Sequence, residues 1–257
     1  MGMTPVKNPD EIHSMRESGR LLGLILHELE LYCEPGMSTL DLEHKAEELF
    51  SRYHALPGFR GYQGYPAILC TSVNEEVVHA IPNKHPLKKG DILSIDCGVI
   101  VKGLNTDSAI AMVVGGETTP EAQAMVDTCI KAMWAGIHQV KHGCRVGDIG
   151  HAIQTVVEDA GFTVIPDLTG HGIGYNLHER PYILNYGDQG RGEQLRAGMT
   201  IAIEPIICMG ESAIETLDDD WTIVTSDGSL SIQHEHTILI TDKGFEVLSL
   251  RPGEKML

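Results

Sequence analysis

The sequence predicts one α/β domain made of two related halves, and three observations support this prediction. Helix-type segments followed by strand-type segments occur twice in the same order, in residues 8–118 and again in residues 119–250. Leu87–Asp96 aligns without a gap on Leu195–Glu204, with Gly, Ile and a final acidic residue at matching offsets. No stretch rich in Gly, Ser or Pro divides the halves, so we expect residues 1–257 to form a single domain.

Capping residues predict where the helices begin. Asn8 followed by Pro9 is typical of a helix start, and Ser38 and Thr119 precede two further apolar-periodic segments. A fourth segment with apolar residues at helical spacing ends at Gly161. Strand-like segments dominate between the second and third helices and return in the last third of the chain.

Charge and cysteine content exclude several classes of protein. The chain has 19 basic and 36 acidic residues, and a net charge of −17 argues against nucleic-acid binding through phosphate contacts. Its apolar stretches are too short to span a bilayer, so no membrane partner is expected. The 6 cysteines are scattered without a Cys-x-x-Cys pair, which indicates reduced thiols and a cytoplasmic protein.

Two aspartates lie in a predicted β-hairpin. If Lys102-Gly103 forms a two-residue turn, Asp96 lies opposite Ala109 and diagonally from Asp107, on the same face of the hairpin. The two carboxylates would repel each other, and a shared divalent cation would remove that conflict. A single Asp in a strand is more often solvated, so the pair alone is weak support for a metal site.

Three further residues extend this hypothesis. His171 lies between two glycines, where the backbone can approach a ligand closely, and Glu204, the counterpart of Asp96 in the second half, closes an apolar strand. Glu235 lies in a predicted strand, Ser231–Thr237, on the same face as Gln233. Four carboxylates and one imidazole suit Mn, Fe or Co, and bridging carboxylates suit two ions. Motifs of zincins, P-loop proteins and serine hydrolases are absent from the sequence.

In this order the residues resemble the five metal ligands of the type I methionine aminopeptidase family, within the pita-bread superfamily: Asp96, Asp107, His171, Glu204 and Glu235. Residues 168–178 are similar to the family's signature around its metal-binding His, and residues 71–82 to the segment with its substrate-binding His. The resemblance implies an α/β (α+β) pita-bread fold with pseudo-two-fold symmetry. Its central antiparallel sheet would have helices packed on one side.

The resemblance also implies an activity, which is removal of the initiator methionine from nascent proteins and peptides with a small second residue. Two divalent ions (Co, Mn, Fe, Ni or Zn) would activate water. Glu204 would be ligand and proton acceptor, while His79 and His178 would contact the scissile amide. A monovalent cation is expected near Asn74 and Ser231. The family's methionine side-chain pocket corresponds to Phe59, Tyr62, Tyr65, Cys70, Leu177 and Trp221.

Four positions depart from the family's common pattern without removing a ligand: Phe59, Thr106, Leu177 and His234. Phe59 and Leu177 form a volume-compensating exchange that keeps the pocket methionine-sized, so the departures bear on fine specificity. Two other readings stay open, a pita-bread metallopeptidase of other specificity (Xaa-Pro) and a non-catalytic pita-bread binding protein. We expect a monomer whose partners are nascent polypeptide N-termini, with transient ribosome contact.

Overall fold

The computed structural model describes residues 5–257, so the first four residues of the predicted domain lie outside the described residues. The described chain contains four α-helices, which are α1 (Pro9–Tyr32), α2 (Thr39–Tyr53), α3 (Pro120–Ile137) and α4 (Val146–Asp159). Its strands are β1 (Leu56–Pro57), β2 (Leu69–Val73), β3 (Glu76–Val78), β4 (Ile92–Val101), β5 (Leu104–Val113), β6 (Thr163–Val164), β7 (Gly170–Gly172), β8 (Glu179–Ile183), β9 (Thr200–Ile203), β10 (Ile206–Cys208), β11 (Ile214–Thr216), β12 (Ile223–Thr225), β13 (Ser231–Gln233), β14 (His236–Ile240) and β15 (Phe245–Val247). Every strand pairing in this region is antiparallel.

The predicted helix starts are confirmed by their capping bonds. The Asn8 side chain accepts the backbone N–H groups of Asp10 and Glu11 at 3.0 Å each, and Ser38 forms a capping box at the start of α2. Thr119 accepts a backbone N–H at the start of α3. Among residues 5–257, none of the helices combines the length and apolar character needed to cross a membrane.

The repeat seen in the sequence corresponds to repeated contacts. The N–H of Gly36 donates to the carbonyl of Leu87 at 2.7 Å, and the matching N–H of Gly143 donates to Leu195 at 2.9 Å. The aligned segments Leu87–Asp96 and Leu195–Glu204 therefore both begin with a leucine that accepts a bond from the loop before a helix. This agreement supports the predicted pseudo-two-fold relationship between the halves.

The helices pack against one face of the strands and leave the other face for polar groups. Ile95 in β4 belongs to an apolar cluster with residues of α1 and α2, and Ile203 in β9 belongs to a cluster with residues of α3 and α4. Because successive side chains in a strand point to opposite faces, Asp96 and Glu204 project away from the helices. The acidic residues of both halves therefore meet on the helix-free face.

One strand prediction is wrong in its extent. The predicted strand Ser231–Thr237 is interrupted at His234 and Glu235, with β13 pairing to β10 and β14 pairing to β9. The paired strands β9 and β10 are separated at the corresponding position by Pro205, which has no N–H to donate. The N–H of Glu235 donates instead to the Ala109 carbonyl of β5 at 3.0 Å. The break therefore joins the second half of the molecule to the hairpin of the first.

Candidate active site

The β4–β5 hairpin has the predicted register. Lys102 and Gly103 both have left-handed backbone angles, φ 50° and 80°, as a two-residue type I′ turn requires. Asp96 pairs with Ala109, and Asp107 lies diagonally across from it. Both carboxyl groups are buried, and burial followed by the neighbouring Asp96 carboxylate raises the pKa of Asp107 well above its usual range. The hairpin prediction is confirmed.

Two glutamates complete the acidic cluster from the second half of the chain. Glu204 follows β9 directly, and Glu235 lies in the break between β13 and β14. The Gln233 side-chain amide donates to Glu204 Oε2 at 3.1 Å, while the Gln233 N–H donates to the hydroxyl of Ser94 at 3.1 Å. Gln233 therefore fixes one oxygen of Glu204 and joins β13 to β4.

His171 is placed by the glycines on either side of it. A Cβ atom at Gly170 would lie 2.4 Å from the Ala202 carbonyl oxygen, and one at Gly172 would lie 2.2 Å from the Arg180 carbonyl oxygen. The atoms packed against these glycines therefore belong to neighbouring strands. The sequence had instead suggested that a ligand approaches the backbone here. The glycines let β7 lie deep enough for His171 to reach the carboxylates.

The hydrogen bonding of His171 orients its imidazole. Its Nδ1 lies 2.9 Å from the Gly172 carbonyl oxygen, which can only accept, so Nδ1 carries the proton and Nε2 keeps its lone pair. Nε2 lies 3.5 Å from Glu204 Oε1. Burial lowers the pKa of His171 to about 3, with a smaller contribution from His178. The neutral ring therefore offers a free nitrogen to the acidic cluster.

The cluster fits divalent cations. Three of the buried oxygens that lack a hydrogen-bond partner among the described residues are Asp96 Oδ1, Asp107 Oδ1 and Glu235 Oε1. The ligand atoms of Asp107, His171 and Glu235 lie within 4.8 Å of one another. Burial, and then the neighbouring carboxylates, raise the pKa values of Asp107 and Glu235 well above the usual range. Cations would relieve this repulsion, and a set of carboxylates with one imidazole suits them.

A second group of metal-ligating residues has a different character. Ligand atoms of His234, His236 and Glu254 also lie within 4.8 Å of one another. However, His234 Nδ1 accepts the N–H of Ala111 at 2.9 Å, which leaves the proton of the neutral ring on Nε2. Arg251 donates to Glu254 at 2.7 Å. Glu254 also lies 3.1 Å from His236 Nε2, so it links the C-terminal segment to β14, while His234 Nε2 and one Arg251 nitrogen have no partner among the described residues.

A cavity of about 200 Å³ opens onto the acidic cluster. The structure brings every predicted ligand, catalytic group and pocket residue to its wall: Phe59, Tyr62, Tyr65, Cys70, His79, Asp96, Asp107, His171, Leu177, His178, Glu204, Trp221 and Glu235. Two lining residues were not assigned a role from the sequence, Gln63, which lies in a segment that resembles the family's pocket, and Gln233. Gln233 could have been found, because it shares a predicted strand face with Glu235, and Gln63 lies within the glycine-flanked segment Gly61–Gly64.

Aromatic side chains form the walls of this cavity. Tyr65 donates its hydroxyl to the Leu69 carbonyl at 2.8 Å and meets the Trp221 ring edge-on, with centroids 5.0 Å apart. Phe59 packs against Gly98, where a Cβ atom would lie 2.8 Å from the phenyl ring. Phe59 and Leu177 are both buried and belong to the same apolar cluster. The two substitutions predicted from the sequence to compensate in volume thus lie in one pocket.

A buried glutamate that the sequence did not single out supports the pocket wall. Glu43 of α2 accepts the backbone N–H groups of Ile68 and Leu69 at 2.7 and 3.0 Å. It also accepts a bond from Arg60 at 2.8 Å. The start of β2 and the segment after Phe59 are therefore attached to one carboxylate.

Two histidines lie on the open side of the acidic cluster. His79 has a left-handed backbone with φ 61°, and burial together with the nearby His178 lowers its pKa to about 4. Partial burial also lowers the pKa of His178, whose ring centroid lies 4.3 Å from that of His171. The Tyr62 hydroxyl and His178 Nδ1 are 2.9 Å apart. The imidazoles of His79 and His178 are therefore neutral at physiological pH, and each can donate or accept a hydrogen bond with a substrate.

Known proteins resemble this chain over most of its length. The model of metallopeptidase family M24 matches residues 13–242. A methionine aminopeptidase of Clostridium acetobutylicum is 44% identical over 249 residues, covering 96% of this chain and 99% of its own. The crystal structure of a Thermotoga maritima methionine aminopeptidase superposes with a TM-score of 0.95 at 42% identity, covering 97% of this chain and 100% of its own.

A prolidase from Pyrococcus furiosus has the same fold, with a TM-score of 0.78 at 19% identity, covering 97% of this chain and 66% of its own. The predicted pita-bread fold is confirmed by these structures. The family match spans most of the sequence and includes every residue of the acidic cluster. On these grounds, the chain belongs to metallopeptidase family M24.

Proposed function

We propose that this protein removes the N-terminal methionine from proteins and peptides with a small second residue. The observation that supports this most strongly is a buried cluster of unpartnered carboxylate oxygens at one end of an aromatic-walled cavity. Relatives that cover nearly the whole chain bear the name methionine aminopeptidase. The proposed ligands of two divalent ions are Asp96, Asp107, His171, Glu204 and Glu235.

The proposed chemistry divides between ions and side chains. When bound, the ions would lower the pKa of a water molecule and polarise the scissile carbonyl. Glu204 would accept the proton of the attacking water, because its Oε1 lies beside His171 Nε2 at 3.5 Å, within the acidic cluster that would hold the ions. The Gln233 amide, which already donates to Glu204 Oε2, would keep the other carboxylate oxygen directed at the reaction.

The two histidines would act on the peptide bond. His79 would hydrogen-bond the scissile amide, because its ring lines the cavity and is neutral at physiological pH. His178 would stabilise the tetrahedral intermediate, and its contact with the Tyr62 hydroxyl would fix its ring plane. These roles need no change in the positions of Asp96 or Glu204.

The cavity wall would select methionine. Phe59, Tyr65, Leu177 and Trp221 present apolar surface, and the Cys70 thiol is kept protonated by burial, which raises its pKa well above the usual range. An unbranched thioether side chain adapts to such a wall. A cavity of about 200 Å³ leaves little room for a large second residue.

We further propose Mn, Fe or Co as the ions, with Ni or Zn as substitutes, since oxygen donors dominate the site. A monovalent cation near Asn74 and Ser231 is proposed because the Ser231 hydroxyl is buried without a partner among the described residues. The chain would act as a single-domain cytoplasmic monomer on nascent polypeptide N-termini, with transient ribosome contact and no affinity for nucleic acid or membranes.

The specificity is tested with a peptide panel. We expect methionine release from Met-Ala-, Met-Gly- and Met-Ser-peptides. Peptides that begin Met-Leu or Met-Phe should react at least about tenfold more slowly, because even one extra methylene that a pocket cannot accommodate lowers kcat/KM by about this factor. Leu-Ala-peptides control for the first residue, and Ala-Pro dipeptides test the Xaa-Pro alternative. Equal rates on Met-Ala- and Met-Leu-peptides would refute the specificity, and no release from any peptide would favour a binding protein.

A further inference from the structure

The loop between β7 and β8 has no regular secondary structure, yet two of its residues line the cavity at the candidate active site. It covers residues 173–178 and contributes Leu177 and His178 to the cavity. A loop of this kind would ordinarily be among the more mobile parts of a fold. Backbone bonds hold its beginning, where the N–H of Ile173 donates to the Thr200 carbonyl at 3.1 Å, and side-chain contacts hold the remainder.

Lys7 supplies the central contacts. Its side chain is 0% exposed, and its ammonium donates to the Ile173 carbonyl at 2.6 Å and contacts the Glu179 carboxylate at 3.3 Å. The same carboxylate accepts the N–H of Asn176 at 2.8 Å. The backbone N–H of Lys7 donates to the Gly198 carbonyl at 2.8 Å, which fixes the start of the lysine side chain.

The loop is shaped to receive this side chain. Gly174 has φ 146°, and a Cβ atom there would lie 2.3 Å from Lys7 Cε, so any other residue would displace the lysine. The Gly174 carbonyl accepts both the N–H and the side-chain amide of Asn105, at 2.7 and 2.9 Å. Asn105 precedes Asp107 on β5. The loop is thus held from one side by Lys7 and from the other by the strand that carries Asp107.

Stability alone is a poor explanation for this arrangement. Burial lowers the pKa of Lys7, which shows that desolvation opposes the charged form. A buried ion pair often stabilises a fold no better than apolar residues of similar size, whereas it does impose a defined geometry. The pair with Glu179 fixes the residue immediately after His178.

We propose that Lys7 is a positioning residue that acts through His178. Its ammonium, paired with Glu179, holds residues 173–178 so that the imidazole of His178 meets Tyr62 at the mouth of the cavity. The kinetic part of this inference rests on the proposed function, whereas the effect on the loop follows from the contacts alone.

The kinetic test is a double-mutant cycle with Lys7→Met and His178→Ala, measured on a Met-Ala-peptide. Lys7→Met removes the charge and keeps most of the volume, so kcat/KM should fall about tenfold or more, because a small displacement of a group that contacts the substrate slows the reaction strongly. In the His178→Ala background, Lys7→Met should change kcat/KM less than about twofold, because coupled residues are non-additive. Lys89→Met, which breaks an exposed pair with Glu117 at 2.8 Å, is the matched control and should leave kcat/KM unchanged.

An activity-independent test uses hydrogen exchange of the whole protein. Lys7→Met should accelerate exchange at the amides of Asn105 and Asn176, which bond to the loop and to Glu179, while Lys89→Met should not. If Lys7→Met fails to fold, Glu179→Gln replaces it, since it keeps an acceptor oxygen for Asn176 and removes the counter-charge.

The outcomes separate the two proposals. Unchanged exchange at both amides overturns the inference, as does an undiminished effect of Lys7→Met in the His178→Ala background. If the unmodified protein releases no methionine, the proposed function fails, and the exchange measurement alone decides whether Lys7 holds the loop.

Discussion

Asp107→Asn is expected to empty the candidate metal site and to reduce methionine release by more than about 100-fold, since even residues that only support a ligand cost 10–100-fold. The Asp107 carboxylate lies within 4.8 Å of the ligand atoms of His171 and Glu235, and the neighbouring Asp96 carboxylate contributes, after burial, to the raised pKa of Asp107. Asp107 is therefore close to candidate ligands from both halves of the chain. The measurement is metal content by elemental analysis together with steady-state kinetics on a Met-Ala-peptide.

Loss of folding would not explain that result. Burial, and then the neighbouring carboxylates, raise the pKa of Asp107, so replacing it with a neutral amide of similar size removes an unfavourable buried charge in the metal-free protein. Thermal unfolding of metal-free Asp107→Asn should therefore occur at or above the temperature of the metal-free parent. Asp159→Asn, at an exposed position at the end of α4, is the control and should keep both metal and activity. A variant with full metal content and full activity would show that Asp107 is not a ligand.

His79→Ala is expected to keep the metal and lose on the order of 10²–10⁴ in kcat, the usual contribution of a positioned proton donor or acceptor. His79 lines the cavity, yet it lies outside the group formed by Asp107, His171 and Glu235. Its left-handed backbone, φ 61°, is unusual away from glycine and is consistent with a constrained functional position.

Two further variants make the His79 result interpretable. His79→Asn should lose activity as His79→Ala does, and Asn tolerates the left-handed backbone, so a loss shared by both is not due to strain. His85→Ala, at an exposed histidine, should leave turnover unchanged. If His79→Ala loses metal as Asp107→Asn does, His79 is a ligand or a structural support. If it keeps parental turnover, it has no part in the reaction.

Local features of the fold could be predicted from sequence because short-range rules determine them. Asn8 and Ser38 start helices since their side chains satisfy N–H groups within three residues. The Lys102-Gly103 turn fixed the register of β4 and β5, and with it the relation between Asp96 and Asp107. The candidate metal ligands could be predicted because the order of the acidic residues and His171 along the chain resembles the ligand order of a known family.

Features that depend on contacts between distant segments could not be predicted. The interruption at His234 and Glu235 arises because the facing strand contains Pro205 and because β5 supplies another acceptor. Glu43 looks like any acidic residue on a helix until Ile68 and Leu69 are seen to need its carboxylate. Lys7 likewise gains its proposed role only because residues 173–178 pass beside it. Sequence patterns carry no direct information on such partners.

Removing and restoring the metal in the unmodified protein tests the central claim most directly. Chelation followed by gel filtration should abolish methionine release from a Met-Ala-peptide, because the proposed reaction depends on the ions to activate the attacking water. Stepwise addition of Mn, Fe or Co should restore release in proportion to bound ions, up to two per chain. Full activity in protein shown by elemental analysis to be metal-free would contradict the account.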